Sequence, residues 1–471
     1  MKLKSLVTFL YLIVSLPLFL FFRAEIVIWI SFFINFLLIT GIAYYHLNYE
    51  KSYSPFLTSY IVFTFLFFLV APIIQISSAE ITELVFPTRY PYRVSDVLYA
   101  NFLILLFNVF FFIGYLFFKK KYKPNKKDIK VNENTFSTPL IILILFVCCA
   151  LILWFNFGYI VDEINKSVYI AATESVSSIL IRKKVLFLIP LGAIIITYRY
   201  LKAKKIITTN TVIAIFIFAF LLFLLLFLKN PLTEKRNALG PIYITLIYLF
   251  YPKLINSNAK FFLFLFVAMI LVFPLMSALT HVDASFKEMV ANPEVITSWF
   301  FKHGGITETF STLNYDAFAN IMATVEYVSS FGYSLGYQLL SALLFFIPRS
   351  IWASKSLSTG EVVGNYLMDE HNFSFNNLSN PLVSEGYINF GIFGIFVMSI
   401  LLAYFIVKFI VWLNSTDALK EVMAFYFAVH LMFLLRGDFA NGFSYFVGTF
   451  VGVLVIPKLI HKTIKMLPKK A

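Results

Sequence analysis

The sequence predicts an all-α polytopic membrane protein with about twelve transmembrane helices and one large, folded, partly interfacial loop. Three observations predict it. First, of 471 residues 60% are hydrophobic, 19% are aromatic and only 13% are charged, with a mean hydropathy of +0.85; a soluble domain carries about 25% charged residues. Second, apolar runs recur at a length near the roughly 20 residues that a spanning helix needs. Third, the connections between runs are short and polar, except for one long stretch at 281–384. The chain divides into helices 1–9 over 1–280, the large loop at 281–384, and helices 10–12 with a basic tail over 385–471.

The runs, in order, are 5–22, 26–46, 55–75, 97–118, 139–158, 185–201, 211–228, 240–252, 261–280, 385–408, 421–435 and 443–458. The first has the basic start and apolar centre of a signal peptide. Arg23, Ala24 and Glu25 follow it in place of a small-residue cleavage site, so a retained helix is expected. The fifth holds the only cysteines, Cys148 and Cys149. Adjacent cysteines rarely bridge, and neither has another partner, so no disulfide framework and no metal site is expected from them. The eighth, "GPIYITLIYLFYP", is short and is expected to begin inside "NALG".

Lysine and arginine in the loops set the orientation. "KKKYKPNKKDIK" at 119–130 is the strongest cytoplasmic marker. Placing it inside also puts "KAKK" at 202–205 and the tail "HKTIKMLPKK" inside, with both termini cytoplasmic. Most basic residues then lie on one side and most acids on the other. The net charge of +14 is thus a topology signal and a contact with anionic headgroups. It does not indicate nucleic acid, because the charge sits in short juxtamembrane loops and a tail.

A structureless loop as long as 281–384 is uncommon, so this one is expected to be folded. "STLNYDAFANIMATVEYVSS" has helical spacing: Phe318, Met322 and Val325 form an apolar line, and Asp316, Asn320 and Thr324 stack on another face. "LGYQLLSALLFFIP" is apolar but too short to span, and fits an interfacial or re-entrant helix. Pro348 ends it and delivers Arg349, Trp352 and Lys355 to the outer surface, against the positive-inside bias. Asn380 followed by Pro381 is a helix-start pair. It places Glu385 near the outer surface and Asn389 one turn deeper on the same face. "LKNPLTEKRNALGP" adds Lys235 and Arg236 outside, and "LLRGDFANGF" adds Arg436 and Asp438. Each has a plain structural reading: snorkelling for the arginines, a dipole-favoured carboxylate for Glu385, an indifferent long loop for Arg349. Several cations at one depth also suit a phosphate head. The spans hold few ionisable groups, His430 being the main exception, which argues against an ion-coupled transporter. Walker, zinc and nucleophile-elbow motifs are missing, and no outer loop carries a D-x-D pair. No cofactor and no metal is expected.

The order of "NPLTEKRNALG", "NYDAFANIM", "FFIPRSIWASKS", "LVSEGYINFGIFG" and "LLRGDF" resembles the Wzy-type oligosaccharide repeat-unit polymerases of bacterial O-antigen, capsule and enterobacterial common antigen synthesis. "WASK" departs from the resemblance, which leads one to expect proline for the alanine. The resemblance implies a metal-independent membrane glycosyltransferase in the bacterial inner membrane. It would move a growing glycan from undecaprenyl pyrophosphate to a new lipid-linked repeat unit at the outer face. Its implied partners are that donor and acceptor, membrane lipids, a chain-length regulator and a flippase. On this reading Arg236, Arg349 and Arg436 bind the pyrophosphate with Lys355 in support, since the guanidinium fork suits phosphate oxygens. The base for the acceptor hydroxyl is Glu385, Asp316 or His371, in that order. Trp352 and Tyr387 stack on sugar faces. An O-antigen ligase, a lipid-linked oligosaccharide flippase and a non-enzymatic scaffold remain open alternatives.

Overall fold

The structure, a computed structural model, describes residues 3–82, 86–122, 139–164, 176–204, 206–231, 234, 236–272, 291–292, 294, 297–298 and 309–466, without the side chains of 80–82, 164, 176–178, 236 and 465. All regular structure among them is helical. Among the described residues nine helices are long and apolar enough to cross a membrane. They are α1 (Leu3–Leu20), α2 (Ile26–Tyr49), α3 (Pro55–Ala79), α4 (Val94–Lys121), α5 (Pro139–Glu163), α8 (Thr209–Leu228), α14 (Leu382–Leu413), α15 (Ala418–Arg436) and α16 (Phe439–Ile464). The shorter helices are α6 (Val176–Lys184), α7 (Ile189–Ala203), α9 (Asn237–Phe250), α10 (Asn258–Val272), α11 (Ala317–Phe331), α12 (Tyr337–Leu343) and α13 (Thr359–His371). The last three are the described helices of the 281–384 stretch; 273–290, 299–308 and several residues between lie outside the described residues.

The helix α3 is buried all round, which is why its sequence shows no polar face. Around it pack α2, α10, α14 and α15. In contrast, α1 leans on this core with one stripe, Val7, Tyr11, Ser15 and Phe19, and leaves Phe9, Ile13 and Leu16 outward. The longest seam joins α4 to α14. Small residues let it close: a Cβ on Gly114 would come within 3.2 Å of Ala403.

Side-chain pairs gather at two ends of the bundle. At one end Arg436 meets Asp316, Glu385 meets Thr359, Lys184 meets Asn441, and Lys229 meets the Lys183 carbonyl. At the other Glu50 meets Lys119, Tyr53 meets Ile255, Arg199 meets Glu421, and Asp417 meets Lys458. The short α7 runs from one set to the other, as do the spans.

One helix departs from the expected shape. The chain of α14 bends sharply at Phe390 and Gly391, whose φ of +60° suits glycine. The two arms come so close that a Cβ on Gly394 would lie 1.9 Å from the Gly386 carbonyl oxygen. Residues 391–413 alone supply about 34 Å of helix, enough to cross a hydrocarbon core of about 30 Å. The arm 382–390, which carries Glu385 and Asn389, is thereby turned away from the axis of that span. Its helix also begins one residue later than the Asn380–Pro381 pair predicts, with Pro381 as cap.

Candidate functional site

The end of α15 builds the site. Arg436 is its last residue, Gly437 turns the chain, and Asp438 caps α16. Gly437 has φ +96°, and a Cβ there would sit 1.5 Å from the Asn380 carbonyl oxygen, so only glycine fits this crossing. The Asp438 Oδ1 accepts from the Ala440 and Asn441 amides at 2.9 and 3.4 Å. Burial raises the pKa of its carboxyl, against the pull of the Ser358 hydroxyl and of the Asn441, Ala440 and Gly360 amides.

Glu385, on the first arm of α14, is 2% exposed. Its Oε1 accepts from the Thr359 hydroxyl and, at 2.9 Å, from the Phe439 amide. Two buried carboxyl groups thus stand next to each other, and the first turn of α13 supplies a hydroxyl to each. Gly360 permits that approach: a Cβ on it would strike the Leu378 carbonyl at 2.0 Å.

Arg436 donates from Nη2 to the Leu313 carbonyl at 2.8 Å and to Asp316 Oδ1 at 3.3 Å. Asp316 caps α11 and is buried; desolvation raises its pKa, and Arg436 and the Asn320 side chain oppose the rise. The stacked polar line of α11 is buried too. Asn320 donates to the Ser379 carbonyl, and the Thr324 hydroxyl reaches the Asn320 carbonyl at 2.6 Å and Asn380 Oδ1 at 3.2 Å.

Buried polar atoms normally have partners. Here Arg436 Nε, Asn320 Oδ1, Asn380 Nδ2, Ser384 Oγ and Asn389 Oδ1 are buried without a protein partner, all on the elements that meet at this cluster. Beside it Phe63, Phe68, Phe107, Leu382, Val383 and Leu435 help to line a small apolar void. The arrangement presents a cation, three carboxyl groups and unsatisfied hydrogen-bonding atoms next to a greasy wall.

Of the residues singled out from sequence, the structure pairs Arg436 with Asp316 and sets Glu385 beside Asp438 on the far side of the Gly437 turn; among the described residues Asn389 bonds only within its own helix, its Nδ2 donating to the Glu385 carbonyl at 2.9 Å. The others lie elsewhere. Arg349 is exposed on the 344–357 segment, with Nη2 3.4 Å from the Ser356 carbonyl. Trp352 packs edge-on to Tyr337 and donates to Ser354. Lys355 places its ammonium on the carbonyls of Leu344, Phe345 and Ile347 at 2.9–3.0 Å, which occupies its three donors. His371 pairs with Glu326 at 2.9 Å, and Arg93 takes the other Glu326 oxygen at 2.8 Å. Glu326 stands ten residues beyond Asp316 on α11, about 15 Å along the helix, so His371 belongs to a different cluster. The side chain of Arg236 lies outside the described residues. Sequence reasoning passed over Ser358, Thr359 and Lys184, and quoted Asp438 without giving it a role. "SLSTGE" and "RGDF" both carry the capping residues that begin helices, and that signal was available. Lys184, buried on Asn441 and Ser444 at 2.8 and 2.5 Å, had none. Among the described residues no three His, Cys, Asp or Glu side chains gather as a metal-binding set. No family model, no curated protein and no solved structure matches the chain.

Proposed function

We propose that this chain is a membrane glycosyltransferase that extends a glycan carried on a polyprenyl pyrophosphate. The Glu385 end faces out of the cytoplasm, and α7, α9 and α10 cross the membrane with the nine longer helices, making twelve. The observation that carries the reading is two buried pairs, Arg436 with Asp316 and Glu385 with Asp438, set on either side of the turn at Gly437 beside an apolar wall. In the reaction the acceptor hydroxyl oxygen bonds to the donor's anomeric carbon. The bond from that carbon to the pyrophosphate breaks, and the pyrophosphate leaves with the electron pair. Glu385 takes the hydroxyl proton on Oε2, since both of its hydrogen bonds fall on Oε1. Arg436 meets the charge growing on the leaving group, through the Nε that has no protein partner. Arg349, exposed on the segment that leads to Ser358 and Thr359, is the second cation, reaching the lipid's phosphate at the surface.

The test supplies purified protein with lipid-linked repeat units alone, as both donor and acceptor, with no gradient. Elongation is expected, and Glu385→Gln and Arg436→Lys are each expected to lose at least about 100-fold, the scale of one acid–base or one electrostatic group. Unimpaired elongation by folded Glu385→Gln removes Glu385 as base. Product only when a different lipid acceptor is supplied identifies a ligase, and gradient-dependent movement without product identifies a transporter.

A further inference from the structure

We infer that residues 332–357 form a hairpin sunk in the edge of the bilayer's hydrocarbon at the Glu385 end, with lipid chains as its partner. The segment is turned inside out by the standards of a water-facing helix. Its outward residues are Leu335, Leu340, Leu343, Phe346 and Ile351, with Leu335 77% and Ile351 78% exposed. Its buried residues include Gln338 and Ser341. A helix over water keeps its apolar stripe on the core, and a contiguous apolar patch of this kind marks a binding or membrane surface.

Position names the occupant. The Ser334 amide donates to the Ile388 carbonyl at 2.9 Å, and Gly336 lies against the Phe390 ring. The patch therefore runs on without a break into Phe390, Ile392, Phe393 and Phe396, the outward face of the α14 span. On its other flank the Phe345 ring lies 6.3 Å from Phe443, little more than one turn into α16. With only seven residues α12 cannot cross, so the segment enters and returns on one side.

The role of Lys355 agrees. A helix end in hydrocarbon must have its carbonyls satisfied from within the protein. The Leu344, Phe345 and Ile347 carbonyls just past α12 all take the Lys355 ammonium. Burial, with a smaller contribution from Arg349, lowers the lysine's pKa. Exposed Arg349 and half-buried Trp352 follow Pro348, where their polar ends can reach back to the headgroups as interface residues do. The returning segment brings the Ser356 amide onto Ser341 Oγ, then Ser358 and Thr359 onto Asp438 and Glu385. The lipid-facing surface and the carboxyl pair are joined by one short extended segment. The inference uses neither the glycosyl-transfer reading nor the direction in which this end faces.

The test places one fluorophore on a cysteine at Leu335, Phe346 or Ile351, in a chain carrying Cys148→Ala and Cys149→Ala and reconstituted in nanodiscs. Phospholipids brominated along their chains are expected to quench all three as strongly as a label at Phe393, while aqueous iodide quenches only a label at Asp369 of α13. Quenching by iodide and not by bromolipid overturns the proposal. Quenching by neither shows a second protein surface, or a second copy, over the patch, and also overturns it. Hydroxyl-radical footprinting of the unsubstituted chain in nanodiscs reads the same surface without labels. Tyr337 and Phe346 are expected to be protected, and oxidation at the rate of freely exposed tyrosine and phenylalanine refutes the burial in lipid.

Discussion

Asp316 and Arg436 illustrate how much one buried pair decides. Removing either partner leaves the other desolvated and unpaired, a loss of about 3–5 kcal/mol for a fully buried pair; Arg436 keeps 24% exposure, so the lower part of that range is expected. The double variant Arg436→Ala with Asp316→Asn should therefore be destabilised by less than the sum of the two single variants. A double-mutant cycle on thermal unfolding in detergent measures the coupling, and strict additivity would show that the pair is not an interacting one. The pH dependence gives a second reading of the same site. Asp316 has a raised folded pKa, through burial, so its contribution is full below the ordinary aspartate value and declines as pH rises through the folded pKa. Glu326 has the opposite sign: burial raises it, but His371 and Arg93 outweigh that and leave its pKa lowered. Its contribution is full above the ordinary glutamate value and is lost as pH falls through the lowered one. Melting midpoints against pH should show Asp316→Asn and Glu326→Gln differing from the parent with slopes of opposite sign.

At the scale of elements, the bend in α14 carries the site. Glycine at 391 supplies the positive φ, and glycines at 386 and 394 let the arms touch. Gly394→Ala places a methyl group 1.9 Å from a carbonyl oxygen, so the bend must open and Glu385 must leave Thr359 and Phe439. The expected outcome is a large loss of folded protein or of activity. Gly41→Ala and Gly158→Ala, which meet open space, should be neutral or stabilise by up to about 1 kcal/mol. Yield of monodisperse protein and its melting midpoint check both. The sequence stretch "EGYINFGIFG" carried all three glycines, yet a continuous apolar helix was the natural reading. Periodicity cannot tell a straight helix from one folded at a glycine, because both bury the same residues. The polar line on α11 was legible as a line. That it faces Ser379 and Asn380 rather than water was not, because the partner lies more than fifty residues away in sequence.

Across the whole molecule, apolar run length was enough to place the nine long apolar helices, because lipid imposes nearly one length on every crossing. The site was half legible for a different reason. Glu385, Arg436 and Asp316 stand out as charges at the ends of apolar runs, whereas Thr359 and Ser358 are ordinary cap residues until the fold sets them against carboxyl groups. Position within the bundle then separates stability from the proposed chemistry. At the end away from Glu385, the fully buried Glu50 accepts from Tyr115 at 2.5 Å, from Lys119, and pairs with His46 Nδ1 at 2.5 Å, whose Nε2 lies 2.7 Å from Thr58. Tyr115 also reaches Ser54, whose amide donates to Asn258, so the network ties α2, α3, α4 and α10. Glu50→Ala leaves the Lys119 ammonium and the Tyr115 hydroxyl without their acceptor, and about 3–5 kcal/mol of stability is expected to go with it. Burial pushes the Glu50 pKa up, but His46 and Lys119 together hold it below the ordinary glutamate value. The stability it contributes is therefore present at neutral pH and lost on acidification through that lowered pKa. Turnover per folded molecule should remain at the parental level, because no atom of this network belongs to the Glu385 cluster. Melting midpoints and elongation rates normalised to folded protein measure the two effects separately. A Glu50→Ala chain that keeps its midpoint but loses turnover would place the chemistry at the wrong end of the bundle.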